Sequence, residues 1–164
     1  MAISTHAESV VHGSPGVNLM PPTVFFTCLI ANWGLAFLFP HDFTVLAKPL
    51  RIILGILIVG AGLVFMTIAD GQFKRAGTRV ETNQPATILV AQGAFKYSRN
   101  PMYVGGSAFF LGIGLAVGSL WMVVAYLPLG IYLALYVIPR EEAYMERTFG
   151  EAYLNYCRHV RRWL

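Results

Sequence analysis

The sequence predicts an all-α integral membrane bundle, with about four transmembrane helices followed by a C-terminal amphipathic helix. Three observations carry that expectation. Of 164 residues, 56% are hydrophobic and 12% charged, roughly half the charged share of a soluble domain, and the mean hydropathy is +0.59. The apolar residues gather into long uncharged runs, and the basic residues gather between and after them. A soluble chain of 18.1 kDa could not hide that much apolar surface in one core, and a disordered chain would be polar, so both classes are excluded.

Residues 1–20 contain no Lys or Arg, so they lack the basic start of a signal peptide. Rich in Ser, Gly and Pro, they are expected to form a mobile tail. Pro21 to Pro40 has no charged side chain, and neither has Ile52 to Ala69; each is long enough for one span, which needs about 20 residues. Pro101 to Pro139 runs for 39 residues without a charge or histidine. That is nearly twice one span, so it reads as two helices in a hairpin turning near Gly118-Ser119. The chain thus divides into the tail (1–20), the first two spans (21–69) and a region at 70–164 that holds the polar chemistry.

The connection from Asp70 to Asn100 carries Lys74, Arg75, Arg79, Lys96 and Arg99, and the segment after Pro139 adds Arg140, Arg147, Arg158, Arg161 and Arg162. A hairpin between them puts both on one face, which the positive-inside rule makes cytoplasmic, together with both termini. The net charge of +4 is therefore a matter of membrane orientation. No nucleic-acid partner is expected, because no stretch interleaves dense basic residues with aromatics. Cys28 and Cys157 are too few for a disulfide framework, and His6, His12, His41 and His159 offer no helical ligand pair, so no metal is expected.

Two constellations could carry chemistry. Residues 86–105 read ATILVAQGAFKYSRNPMYVG. Asn100, placed before Pro101, is pushed out of the α region and suits the N-cap of the third span. A helix start also offers free N–H groups to a carboxylate, and Phe95, Tyr97 and Tyr103 around it offer ring faces to a cation. A plain cap and an interfacial aromatic belt would account for the same residues. The second constellation is Pro139-Arg140-Glu141-Glu142, read as a helix start whose glutamates complement the dipole. Met145, Phe149, Ala152 and Tyr156 then share one face of an amphipathic helix. Both constellations fall at cytoplasmic helix ends, so Asn100, the two acids and several aromatics could meet in one interfacial pocket. Gly112-Ile-Gly114-Leu-Ala-Val-Gly118 mimics a nucleotide loop but lacks the preceding strand. Gly114 with Gly118, like Gly55, Gly60 and Gly62, reads as helix packing.

The spacing L-V-x-x-G-x-F-x-x-x-R-N-P-M-Y-x-G over Leu89–Gly105, an apolar hairpin, and then R-E-E-(x6)-F-G-(x2)-Y-(x2)-Y from Arg140 resembles the isoprenylcysteine carboxyl methyltransferase family and its phospholipid methyltransferase relatives. The resemblance covers about residues 70–164 and is specific in the pairing of the two motifs. It implies a membrane-embedded methyltransferase that uses S-adenosylmethionine without a Rossmann domain, in a bacterial inner membrane. By position, cofactor contacts would fall on Thr87, Ile88, Leu89, Val90, Phe95, Asn100, Pro101, Met102, Tyr103 and Glu141. Glu142 and Arg140 are the weaker candidates for a catalytic role. Membrane lipids and a hydrophobic or lipid-like acceptor are the implied partners.

Two positions depart from the family pattern. Asn100 stands where histidine is usual, and Val137 stands where the isoprenylcysteine enzymes place an arginine for the acceptor carboxylate. That leaves a phospholipid amine, an isoprenoid-linked carboxylate or another isoprenoid, or a small hydrophobic thiol or acid as acceptor. A non-catalytic scaffold or small-molecule carrier is the alternative reading. A membrane reductase is a more distant one, because sterol reductases share a similar C-terminal segment in much longer chains.

Overall fold

The computed structural model describes residues 14–40, 46–77 and 86–164. The first 13 residues of the expected tail, the stretch 41–45 of the first connection, and Arg79 and Glu81 of the second lie outside them. The described chain is an all-α membrane bundle: α1 (Pro21–Leu38), α2 (Lys48–Ala76), a 3-10 turn (Gly93–Lys96), α3 (Pro101–Val117), α4 (Leu120–Tyr132), α5 (Ile138–Phe149) and α6 (Glu151–His159). Three helical stretches are long and apolar enough to cross a bilayer: Pro21–Leu38, Lys48–Ala76 and Leu120–Phe149. The fourth apolar helix, α3, has 17 residues and reaches about 26 Å at 1.5 Å per residue.

Proline sits in the first turn of α1, α2 and α3, where its missing N–H costs nothing. The hairpin turns where the uncharged run is halved. Gly118 adopts φ +73° and its N–H bonds back to Gly114 and Leu115, with Ser119 N–H also on Gly114 O at 3.0 Å. Only glycine enters that left-handed cap cheaply, and the Arg51 guanidinium lies where a Cβ would stand.

The tightest helix pair is α2 against α3, and glycine permits it. A Cβ on Gly62 would meet Gly105 O at 2.6 Å, and one on Gly55 would meet Gly112 O at 2.6 Å. These positions recur every seven residues on both helices, so two backbones approach along one stripe. Gly55 and Gly62 thus pack helices as the sequence predicts and Gly114 packs on Met122, whereas Gly118 is a cap and Gly60 has open space. Beside this pair, Phe25 of α1 reaches Phe109 and Phe110 of α3, and Phe110 is fully buried with Met122, Leu129 and Val137. Ile56, Leu57 and Val64 of α2 and Ile30 and Phe37 of α1 point outward, as lipid-facing side chains do.

Pro139 does not start a new helix. The chain passes from α4 to α5 through a π-helical turn, Leu133–Val137, with αR dihedrals on both sides. Ile138 N–H bonds Leu133 O, five residues back, beside a proline that has no N–H to give. One rod of 30 residues results. Glu141 and Glu142 therefore lie inside a continuous helix, and a free helix start cannot explain them. The expected single C-terminal helix is likewise two. Gly150, at φ +54° and ψ −130°, breaks it in a region open only to glycine. The break exposes Ala152 and turns Tyr153 inward.

At one end of the bundle Trp121 Nε1 donates to Phe39 O (2.6 Å) and Ser119 Oγ donates to Asn32 Oδ1 (3.1 Å). The start of α1, the end of α2, the start of α3 and the α5 acids gather at the other. With 29 and 30 residues, α2 and the α4–α5 rod span about 45 Å, well beyond a 30 Å hydrocarbon core. Asp70, Lys74 and Arg75 of α2 and the charged residues of α5 place that surplus at the second end.

Candidate active site

The 3-10 turn, the start of α3, and helices α5 and α6 enclose a cavity of about 380 Å³, within the range that holds a cofactor-sized ligand. Ile88, Leu89 and Val90 from the loop, Phe95 from the turn, and Asn100, Pro101, Met102 and Tyr103 from α3 all line it, together with Glu141 and Glu142. Both motifs thus meet at one place. Thr87 and Arg140 are outside the lining. Arg140 is a helical step round from Glu141; its guanidinium lies 3.7 Å from the centre of the Tyr136 ring and donates to Tyr136 O. Tyr97, expected in the aromatic cluster, is 70% exposed and lies off the cavity.

Each wall is fixed by identifiable contacts. The loop is tied at its start by Ala86 N–H donating to the Tyr144 hydroxyl of α5 (3.0 Å). Phe95 is buried edge-on against Phe73 of α2, centroids 4.9 Å apart, and its carbonyl accepts from the Tyr156 hydroxyl of α6 at 2.7 Å. Tyr103 donates to Glu141 Oε1 at 2.7 Å, which links α3 to α5 across the cavity. Burial pushes the Tyr153 and Tyr156 phenols well above the usual tyrosine range, with Arg99 only partly opposing it. Both rings therefore stay neutral.

Asn100 occupies the N-cap position outside the α region (φ −127°, ψ 52°), but its side chain makes no capping bond. Its amide instead donates to Arg162 O at 2.9 Å, and its own N–H is accepted by Ser98 Oγ at 3.0 Å. Asn100 thus holds the N-cap position that the sequence predicts, without a side-chain capping bond. Glu142 is held by two arginines, Arg99 Nη2 on Oε1 (3.1 Å) and Arg162 Nη2 on Oε2 (2.5 Å).

Phe73 and Tyr144 line the cavity without a signal in the sequence, and with Tyr153 and Tyr156 they complete the aromatic wall, beside Met145. Tyr153 was visible only in the Y-(x2)-Y spacing, whereas Met145 and Tyr156 were placed on one face of the C-terminal helix. Pro15 and Met20 contribute from the segment before α1. Within that segment Val17 is 2% exposed and the Tyr132 hydroxyl donates to Leu19 O, while Leu19 and Met20 themselves are about half exposed. Among the described residues no group of three His, Cys, Asp or Glu side chains could hold a metal.

The family model of the phospholipid methyltransferases matches residues 50–152, from the first turn of α2 to the start of α6. The chain belongs to the phospholipid methyltransferase family. No curated protein and no solved structure matches it. The family, which takes in the integral-membrane methyltransferases resembling isoprenylcysteine carboxyl methyltransferase, fits both the apolar helices and the position of the cavity. The matched segment contains the cavity residues from Phe73 to Met145, while α1 and the cavity tyrosines Tyr153 and Tyr156 of α6 lie outside it.

Proposed function

We propose that this membrane methyltransferase transfers a methyl group from S-adenosylmethionine to a hydrophobic acceptor that carries no carboxylate. The observation that carries the reading is the Tyr103–Glu141 pair in a cavity walled by Phe95, Tyr153 and Tyr156. A sulfonium cation is attracted by a carboxylate and by aromatic faces, and these residues supply both. Tyr103 fixes the Glu141 carboxylate by a charge-assisted bond. The apolar stretch Ile88–Val90 suits a base or a methylene chain, and the α3 N–H groups suit a carboxylate.

When bound, the donor supplies an electrophilic methyl carbon: the acceptor's lone pair forms the new bond as the carbon–sulfur bond breaks and its electrons stay on sulfur. The chain's own residues align the reactants and exclude water, which supplies most of the rate in such displacements. Glu142, held by two arginines, acts in this reading as a structural tie.

The acceptor class follows from the cations. Val137, at the position where the isoprenylcysteine enzymes carry arginine, is fully buried in the bundle core, and Arg140 stacks on Tyr136. The only cation lining the cavity among the described residues is Arg99, and it is committed to Glu142. An acceptor carboxylate would lack a partner, whereas an amine or a neutral nucleophile faces Glu141. The same reading places the cavity end on the cytoplasmic side, in line with its basic residues.

Calorimetric titration of S-adenosylhomocysteine into protein in lipid nanodiscs tests this. Wild type is expected to bind in the micromolar range, and Glu141→Ala about 100-fold more weakly with unchanged melting, as loss of a buried charged partner implies. A Glu141→Ala variant that binds like wild type would place the donor elsewhere. Folded wild-type protein that does not bind would favour a scaffold or carrier. Methyl-labelled donor incubated with lipid extract should then label an amine or neutral lipid rather than an ester.

A further inference from the structure

The chain end beyond α6 lies against the cavity's back wall, outside the segment that matches the family. Val160 leaves the helix in an extended conformation, and the next two residues run alongside Ser98-Arg99-Asn100. Arg99 N–H donates to Arg161 O (2.9 Å). The carbonyl of Arg162 accepts both from Asn100 Nδ2 (2.9 Å) and from Ser98 Oγ (3.3 Å). The Arg162 side chain turns the other way and grips Glu142 with Nη2 and Nε. One residue therefore holds the α3 half of the site through its backbone and the α5 half through its guanidinium.

Burial decides how much this matters. Ser98 is fully buried and Asn100 is 9% exposed, so without the Arg162 carbonyl their donors would be left unpaired away from water, which costs more than the bond itself contributes. The Glu142 carboxylate is 17% exposed and the Arg162 side chain 42%, so the charged arm is partly shielded and two-pronged, unlike the open Arg158–Glu151 pair at 65% and 74%. None of residues 160–164 lines the cavity. Any effect on a ligand must pass through Arg99, Asn100 and Glu142, which do.

We propose that Arg162 is a positioning residue: a C-terminal strap that locks the Arg99–Tyr103 turn onto the α5 acids and so sets the affinity of the cavity for the adenosyl donor. The inference rests on the donor reading above. It assigns a role in the site to a residue that contacts neither donor nor acceptor.

The test compares wild type, Arg162→Ala, Arg162→Lys, a chain ending at His159, and Arg158→Ala as control, titrated with S-adenosylhomocysteine in nanodiscs and melted in parallel. Arg162→Ala should weaken binding about tenfold, the scale of a charge-assisted pair, while melting falls by no more than about 4 °C. Arg162→Lys, which keeps the charge without the fork, should fall between. Added ethylguanidinium should recover part of the affinity of Arg162→Ala, which keeps its backbone carbonyl, and none in the shortened chain, which has lost both arms. Arg158→Ala should match wild type. Wild-type affinity in Arg162→Ala would overturn the proposal, and so would a loss that tracks melting and resists ethylguanidinium. Absence of binding by wild type would instead overturn the donor reading, and the strap's role with it.

Discussion

The two ends of the bundle are built on opposite principles. At the turn end, α3 and α4 are joined by Gly118 and Ser119 alone, and the polar groups there are spent on closing the structure: Trp121 on Phe39, Ser119 on Asn32, Arg51 over Gly118. At the other end, polar groups face a cavity. Tyr103, Glu141 and Asn100 are tied to each other or to the chain end, not to the helices' own termini. Between the ends lies the glycine stripe of α2 and α3, which keeps the rods in fixed register. A polar contact at the turn end should therefore change stability alone, and one at the cavity end should change ligand affinity.

The sharpest way to break this contrast is in the stripe between the ends. Gly62→Leu places a side chain within 2.6 Å of the Gly105 carbonyl, a backbone atom that cannot step aside. Overpacking of this kind costs about 1–3 kcal/mol, occasionally more, and here it separates the helices that carry Phe73 and Met102. Loss of monodisperse protein in detergent, with ligand binding lost alongside, is the expected outcome.

Gly150→Ala should come next. With φ +54° and ψ −130°, alanine is strained by about 1–3 kcal/mol, and the strain is relieved by swinging α6 away with Tyr153 and Tyr156. Affinity for S-adenosylhomocysteine should fall more steeply than melting. Trp121→Phe at the turn end removes one hydrogen bond worth about 1 kcal/mol, so melting should drop by a few degrees with affinity untouched. If Trp121→Phe altered affinity, the division of labour between the ends would fail.

The smallest effect concerns the buried phenols. Because burial raises Tyr153 and Tyr156 above the usual value near 10, the folded state keeps protons that the unfolded chain sheds. Their contribution to stability is complete below pH 10 and is lost as the pH rises beyond it. Melting followed above pH 10 should decline less in Tyr153→Phe than in wild type, and the difference in phenolate absorbance between the two proteins should appear only on unfolding.

Much of this was legible in the sequence, and the remainder was hidden for definite reasons. An uncharged run twice the bilayer thickness with a glycine at its middle can hardly fold otherwise than as a hairpin at Gly118-Ser119. The joint placement of Asn100–Tyr103 and Glu141-Glu142 followed from that hairpin. Gly55 and Gly62 were legible as packing glycines, but their partners Gly112 and Gly105 were not, because the two stripes find each other only once α2 and α3 are paired. Pro139 reads as a helix start because proline usually is one; a π turn accommodates it when the preceding span is already fixed by packing. The partner of Asn100 is a backbone carbonyl 62 residues away, and a carbonyl leaves no mark in the sequence. Arg162 looked like one more cytoplasmic charge for the same reason.

The central claim is that the cavity end alone takes the methyl donor. Hydrogen–deuterium exchange in nanodiscs, with and without S-adenosylhomocysteine, tests it most directly. Protection confined to residues 15–22, 70–76, 86–104 and 139–162, with 46–51 and 117–122 unchanged, is the predicted result. Protection at the turn end, or none at Ile88–Tyr103 under saturating ligand, would contradict it.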